Sequence, residues 1–398
     1  MRRRQLVASL PATDLERLRR RVRALAENRP AVYRMVDATG RIIYVGKAKR
    51  LRARLLTYFR AEFPADKGAR ILQSAHDILW DYAPSEFAAY LGELRQIRQY
   101  RPQFNHRGNV TRRTVLIKIS RGPAPRIYAG VSPTRDDVRC YGPFRSMPRT
   151  LEAVRTLNDL LGIRDCAATV PAVFAGQGDL FDQPRQAGCM RHEFGFCSGP
   201  CAGFVTERDY GRSVETAMAF LEGRTIQPID RVVGEMQGAA AAARFELAAR
   251  WRERFEQLEW LLAITSRART AVDLLTFVYR DPGEDGDDRV YLIRQGVVLA
   301  WFPFPNNPLE REAVSAAVAK EAEKPSPPPG PLPLDAIDEI LLLMSWFRAH
   351  PEALRRTASF EEWLREPAVR VTEAATAPAS PAAGCRARAP ECPPTAAG

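Results

Sequence analysis

Between positions 33 and 105 the sequence holds two tyrosines, a run of lysines and arginines, one glutamate and one asparagine that together could hydrolyse a phosphodiester. That reaction needs an activated water, a cation on the leaving oxygen and donors for the phosphate oxygens. Tyr33 and Tyr44 fall in two β-prone segments, Ala31–Val36 and Arg41–Val45, joined by Asp-Ala-Thr-Gly in a hairpin-type turn. On paired strands the two phenols can meet on one sheet face. Lys47, Lys49, Arg50, Arg52 and Arg54 follow at once, Glu93 supplies a carboxylate, and Asn105 closes the segment. Taken singly, each has an ordinary use: a strand tyrosine packs, and a glutamate at a helix edge is solvated.

Cysteines form a second group. Of seven, four follow the pattern Cys166-x22-Cys189-x7-Cys197-x3-Cys201. In a cytosolic chain such clustering points to a metal or cluster site rather than to disulfides. Only the last pair has zinc-knuckle spacing, so spacing leaves zinc, an iron–sulfur cluster and four unligated thiols open.

The net charge is +12, and its distribution is uneven: residues 1–120 hold 26 Lys and Arg against 10 Asp and Glu, the remainder 33 against 37. More than the whole surplus therefore lies in the first domain, the footprint of a phosphate-backbone binder. No apolar run approaches the roughly 18 residues that span a bilayer. The basic start Met1-Arg2-Arg3-Arg4 leads into an apolar stretch cut by Pro11 and Asp14, too short for a signal-peptide core, so a cytoplasmic protein without membrane partners is expected.

The elements that must position these groups are legible as an α+β fold. Residues 13–27 read as an amphipathic helix, with Thr13 and Glu16 as a capping box and Pro30 beyond it. Basic helices are expected near 49–60 and 66–77. Residues 85–100 give the clearest helix: Ser85 caps it, Arg101-Pro102 stops it, and Phe87, Tyr90, Leu91, Leu94 and Ile97 form a stripe toward the core. At about 100° per residue, Glu93 lies roughly 40° beyond Ile97, looking into a groove beside that core. Strands are expected at Val115–Ser120 and Arg126–Val131, a helix at 148–161, a loop at 176–187, helices at 206–222 and 230–262, and strands from 272 to 304 with a turn at Gln295-Gly296. Lys324–Pro333 reads as a linker and 370–398 as disordered. The expected division is an N-terminal helix (1–29), a small domain with a central antiparallel sheet flanked by helices (30–107), a linker and Cys-rich region (108–224), a helical hairpin (225–265), a small strand-rich region (266–322), a Pro-rich linker with a helical segment (323–369) and a tail (370–398).

Residues 31–105 resemble the GIY-YIG nuclease domain. Ala31-Val32-Tyr33 stands for its first element, Tyr44-Val45-Gly46 with Lys47-Ala48-Lys49 for its second, and the run from Glu93 to Asn105 matches its later spacing. Tyr44 to Lys49, Tyr100-Arg-Pro-Gln-Phe-Asn105 and Tyr141-Gly142-Pro143-Phe144 resemble the UvrC branch of excision-repair nucleases. The resemblance implies Tyr44 as general base, its phenol made more acidic by Lys47 and a metal. It implies Tyr33 orienting water or phosphate, Arg54 neutralising phosphate charge, and Glu93 holding one Mg²⁺ or Mn²⁺. Asn105 would bind phosphate or orient its neighbours, and Lys49, Arg50 and Arg52 are the expected DNA contacts. Ala31 departs from the usual glycine, which adds a methyl and restricts the backbone there.

Gly162-Ile-Arg-Asp-Cys166 and Gly195-Phe-Cys-Ser-Gly-Pro-Cys-Ala-Gly203 also resemble UvrC, which implies a [4Fe–4S] cluster on Cys166, Cys189, Cys197 and Cys201 in preference to zinc. Met236, Ala239, Ala240, Phe245, Glu246, Ala248, Ala249, Arg252 and Glu253 resemble the UVR motif by which UvrC and UvrB associate, with Phe245, Glu246 and Arg252 as the expected partner contacts. Ala243 stands where a leucine is usual, and Glu253 where an aspartate is. The chain has no room for that family's RNase H-like nuclease and tandem helix-hairpin-helix module, in which it is similar to the shorter Cho-type proteins. The implied function is incision of damaged double-stranded DNA on the 3′ side of a lesion presented by a UvrB-like helicase. The alternatives are a partner-independent nuclease on branched or flapped DNA and a non-catalytic DNA-binding repair adaptor.

Overall fold

The computed structural model describes residues 12–105, 114–131, 133–134, 136–176, 188–325 and 330–366. Residues 177–187 of the loop expected at 176–187, the middle of the linker at 326–329 and the tail at 370–398 lie outside the described residues.

The first unit runs α1 (Ala12–Leu25), β1 (Ala31–Val36), β2 (Ile42–Ala48), α2 (Leu51–Tyr58), α3 (Lys67–Gln73), β3 (Asp77–Tyr82) and α4 (Glu86–Tyr100). Asp37 closes the β1–β2 hairpin, its carboxylate accepting from the backbone N–H of Thr39 and of Arg41 at 3.0 Å each. The sheet is antiparallel in the order β2-β1-β3. Leu18 and Val22 of α1, Met35 and Ile43 of the hairpin, and Leu51, Leu55, Ile71 and Ile78 fill its core.

Strand β3 departs from the sequence reading, which carried a helix to 77. The helix stops at Gln73, and Asp77–Tyr82 pairs with β1 along its whole length. Only Ile78 of the six is fully buried, so no apolar alternation marks the segment; the free edge of β1 imposes the strand.

Helix α4 is capped as expected: the Ser85 hydroxyl accepts from the Ala88 N–H at 2.9 Å, and Arg101 takes a left-handed conformation (φ 44°) before Pro102. Its faces differ from expectation. The nuclease-like sheet is met by the small side, where Ala89 packs with Val32 and Val45, and Ile97 joins them. A Cβ on Gly92 would lie 2.9 Å from Val32 Cγ2, so a residue without a side chain is what lets α4 settle this close. The large residues Phe87, Tyr90, Leu91 and Leu94 point the other way, into the C-terminal part of the chain.

The middle unit runs β4 (Val115–Ser120), β5 (Ile127–Gly130), β6 (Asp137–Phe144), α5 (Met147–Leu161), α6 (Met190–Glu193), α7 (Glu207–Leu221), α8 (Gln227–Ala241) and α9 (Phe245–Asp273), with sheet order β5-β4-β6. Strand β6 was not anticipated, because Gly142-Pro143 breaks its pattern; the register shifts opposite that pair. Helices α5, α7 and α9 cover the sheet through Leu157, Tyr210, Phe220, Leu258 and Leu261.

The C-terminal unit is more than the small strand-rich region and linker expected. It runs β7 (Phe277–Asp281), β8 (Arg289–Arg294), β9 (Val297–Pro303), α10 (Pro308–Ala322), α11 (Ile337–Ala349), β10 (Thr357–Ala358) and α12 (Phe360–Arg365), an antiparallel sheet in the order β10-β7-β8-β9. One sheet face packs on α10 and α12 through Val278, Val290 and Leu292. The other face, with α11, receives α4: Phe87 is fully buried between Tyr279 (5.0 Å between ring centroids), Tyr291 (4.9 Å), Trp346 (5.3 Å) and Phe347 (6.2 Å). Edge-to-face aromatic packing of this kind adds to plain burial. Phe87→Ala is expected to lower the unfolding free energy by about 3–5 kcal/mol, read as a shifted urea midpoint. A loss below about 1 kcal/mol would show that Phe87 is not buried in this slot in solution.

Candidate active site

The β1–β2 register pairs Tyr33 with Gly46 and Met35 with Tyr44, so the two tyrosines are diagonal neighbours on one sheet face, as the sequence pattern requires. Their ring centroids are 6.2 Å apart. Gly46 is indispensable to this arrangement, since a Cβ there would fall 2.5 Å from the Tyr33 hydroxyl oxygen. Ala31, the departure from the usual glycine, is buried in β1 and keeps its pairing with Ala48 and Tyr82.

A third tyrosine, not singled out in the sequence, completes the set. Tyr58 lies 6.1 Å from Tyr33 and 6.3 Å from Tyr44 by ring centroids, and its hydroxyl hydrogen-bonds that of Tyr33 at 2.8 Å. Arg54, one turn earlier on α2, sits over the Tyr58 ring at 5.3 Å. The i, i+4 spacing of Arg54 and Tyr58 was the available signal, since it puts both on one side of the helix that follows the hairpin.

From the opposite side α4 presents Glu93. Its carboxyl is pushed up to about 7, chiefly by burial, against the pull of Lys47, including its backbone N–H, and of Arg54. All three phenols are held above their ordinary range, Tyr44 by burial first and then by Tyr58 and Glu93, with only Arg54 pulling it down. The Lys47 ammonium, expected beside Tyr44, rests on the Tyr90 ring, 2.9 Å from its centroid. Arg54 is the cation that pulls Tyr44 down, and the Lys67 ammonium lies 5.8 Å from its ring centroid.

Asn105 is committed to the backbone. Its Nδ2 donates to Val45 O and its Oδ1 accepts from Val45 N, both at 2.8 Å, which locks the strand between Tyr44 and Gly46. Of the expected DNA contacts, Arg50 is exposed and Lys49 pairs with Glu86 at 3.3 Å on an exposed side chain. Arg52 is turned inward instead, its Nε donating to the Ala26 carbonyl beyond the end of α1, a contact invisible at the level of charge runs.

Two family matches cover this chain in tandem: UvrC-like GIY-YIG domain over residues 29–106, and UvrC/Cho excinuclease, middle domain, over 114–220. The chain carries a UvrC-type GIY-YIG domain and a UvrC/Cho middle domain. Similar proteins include UvrABC system protein C of Moorella thermoacetica, 32% identical over 80% of this chain and 51% of that protein, and UvrABC system protein C of Alcanivorax borkumensis, 32% identical over 58% and 36%. The chain thus spans about half or less of the length of these relatives. The GIY-YIG N-terminal endonuclease domain of UvrC from Thermotoga maritima, solved bound to its catalytic divalent cation, magnesium, is 35% identical over 23% of this chain and 97% of that one, with a TM-score of 0.21.

Within the stretch matched as the UvrC/Cho middle domain two loops are tied together: Ser198 donates both its N–H and its hydroxyl to Gly162 O at 2.9 Å. Cys166, Cys189, Cys197 and Cys201 are thereby brought into each other's electrostatic range, and burial followed by this mutual influence raises the Cys197 thiol. Among the described residues, however, no group of three or more His, Cys, Asp or Glu converges closely enough to hold a metal. Protonated thiols do not attract one another, so nothing in the protein alone draws four sulfurs to ligating distance. Phe245 is 72% exposed at the start of α9. Arg252 pairs along the same helix with Glu256 at 3.3 Å, both side chains exposed, and the hairpin turns through Ala243 (φ 56°). No described helix is long and apolar enough to cross a membrane.

Glu93 gives a pH signature in the absence of divalent cation. Its folded pKa lies above the ordinary 4.5, so between about pH 4.5 and 7 the folded state binds more protons than the unfolded one. The destabilisation grows through that window and then levels off. Glu93→Gln should therefore match wild type in urea melts at pH 4.5 and exceed it at pH 8. Equal stability at both would mean that the carboxyl is solvated.

Proposed function

We propose that this protein is a metal-dependent endonuclease of nucleotide excision repair, hydrolysing one phosphodiester on the 3′ side of a lesion presented by a UvrB-like partner. The observation that carries the reading is the convergence of Glu93 with Tyr33, Tyr44, Tyr58 and Arg54 over Gly46, within a UvrC-type GIY-YIG domain.

A lone desolvated carboxylate fits Mg²⁺ or Mn²⁺, which at phosphoryl-transfer sites is held by one or two carboxylates with water and phosphate as its remaining ligands. Bound at Glu93, the cation would supply Lewis-acid stabilisation of the phosphate and lower the pKa of its surroundings. The rest of the work falls to the chain. With a cation screening Glu93, Tyr44 would first release its phenolic proton to solvent and, as the phenolate, would then take the proton from the attacking water. Tyr33, hydrogen-bonded to Tyr58, orients the water or the phosphate. Arg54 neutralises phosphate charge, and Asn105 holds the β2 backbone in place rather than contacting phosphate. The exposed Lys49 and Arg50 meet the DNA backbone.

Glu93→Gln should lower nicking of an end-labelled, lesion-bearing duplex by about three orders of magnitude, because several kcal/mol of charge stabilisation are lost at about 1.4 kcal/mol per tenfold. DNA binding should persist. The assay is run with and without a UvrB-like helicase, whose docking on Phe245, Glu246 and Arg252 of the exposed hairpin the "UvrABC" naming of the relatives supports. Nicking without the helicase would move the reading to branched or flapped DNA, and no nicking with DNA binding intact to an adaptor.

We infer likewise that Cys166, Cys189, Cys197 and Cys201 ligate a [4Fe–4S] cluster, supported by their shared neighbourhood and the Ser198–Gly162 tie. Anaerobically purified protein should carry about four irons per chain, with iron lost in Cys197→Ser. Zinc in its place, or no metal, would sink this assignment.

A further inference from the structure

The sequence assigns no task to residues beyond 265, yet the C-terminal unit grips α4 at three places. At its start, the Ser85 hydroxyl, which caps the helix, donates to the buried Asp281 at the end of β7, and Glu284 N donates to Pro84 O at 2.9 Å. In its middle, Phe87 fills the aromatic slot, and Tyr90 lies 5.5 Å from Trp346 of α11 by ring centroids. Toward its end, Arg98 reaches Glu339 at 3.4 Å, whose other oxygen accepts from Val298 N at 2.9 Å. The same Tyr90 ring carries the Lys47 ammonium on its side toward the nuclease sheet.

We propose that the C-terminal unit positions the nuclease site: Asp281 of its sheet, acting through Ser85, and Trp346 of α11, acting through Tyr90, fix the rotation and height of α4 and so place the Glu93 carboxylate and Lys47. The geometry gives the reason. On the nuclease side the apolar contacts of α4 with its own sheet come from Ala89, Gly92 and Ile97, a smooth surface to which Lys47 adds polar contacts with Glu93 and the Tyr90 ring. Large interdigitating side chains lie only on the far side, where ring against ring and a hydrogen bond at the helix cap define one register. Asp281 and Trp346 are positioning residues, since neither touches the reacting atoms. The proposal rests on the nuclease reading for what Glu93 does, but not for whether α4 is held.

The test uses the full chain and two readouts: amide hydrogen exchange of residues 86–94, and Mn²⁺ affinity from the signal of free Mn²⁺ in electron paramagnetic resonance. Asp281→Ala should speed exchange in that segment and weaken Mn²⁺ binding about tenfold, the lower end of what losing an outer-shell support costs. Asp281→Asn, which still accepts from Ser85, should stay close to wild type. Val290→Ala truncates the opposite face of the same sheet and serves as the control for general loosening. If Asp281→Ala does not fold, Ser85→Gly carries the test, glycine being nearly as good at a helix N-cap. Wild-type exchange and Mn²⁺ affinity in the Asp281→Ala protein, or equal losses in Val290→Ala, would overturn the proposal. Faster exchange in a protein whose wild type neither binds Mn²⁺ nor nicks DNA would instead sink the nuclease reading and leave the coupling standing.

Discussion

Everything in this protein turns on one helix that must be buried on two sides with opposite demands. Toward the nuclease sheet α4 has to come close, and closeness is achieved by leaving out side chains: Ala89 and Gly92 allow Glu93 to reach the tyrosine cluster. Toward the C-terminal sheet it has to be held, and holding is achieved by bulk: Phe87, Tyr90, Leu91 and Leu94 enter a slot of aromatic rings. Dense packing on one side thus supplies the order that the sparse packing on the other cannot.

The electrostatics of the cluster follow from the same burial. Three phenols and a carboxyl are desolvated together, and each raises the pKa of another: Glu93 and Tyr58 raise Tyr44, and Tyr44 raises Tyr33. Arg54 is the cation that opposes this at all three tyrosines, while Lys47 is spent on Glu93 and the Tyr90 ring. Glu93 stays raised because burial outweighs the pull of Lys47 and Arg54.

Farther along, the middle unit is joined to the C-terminal one by the chain itself. Leu332 N donates to Cys140 O at 2.7 Å, so the end of the segment read as a linker lies along β6, and Ile337 and Leu341 of α11 pack on Leu116 and Cys140. Helix α11 therefore contacts both the middle sheet and, through Trp346, the helix that bears Glu93. The three sheets form one connected body around it.

The sequence by itself determined the local parts: the hairpin with Tyr33 and Tyr44 on one face, the helix over 85–100 capped by Ser85, and a helical hairpin within 225–265. Each is a short-range pattern of period, cap or turn, and such patterns depend on neighbours in the chain. Tertiary structure alone decided the rest. Strand β3 exists because β1 has an edge to fill, not because Asp77–Tyr82 alternates. Tyr58 joins the tyrosine cluster because α2 folds back over the hairpin, and Arg52 turns inward because its Nε donates to the Ala26 carbonyl. Which stripe of α4 meets which sheet could not be read from periodicity, since the helix has two buried faces and the larger one belongs to a partner almost 200 residues away, as the Ser85–Asp281 separation of 196 records. Periodicity reports that a face is apolar; only the packed structure says against what.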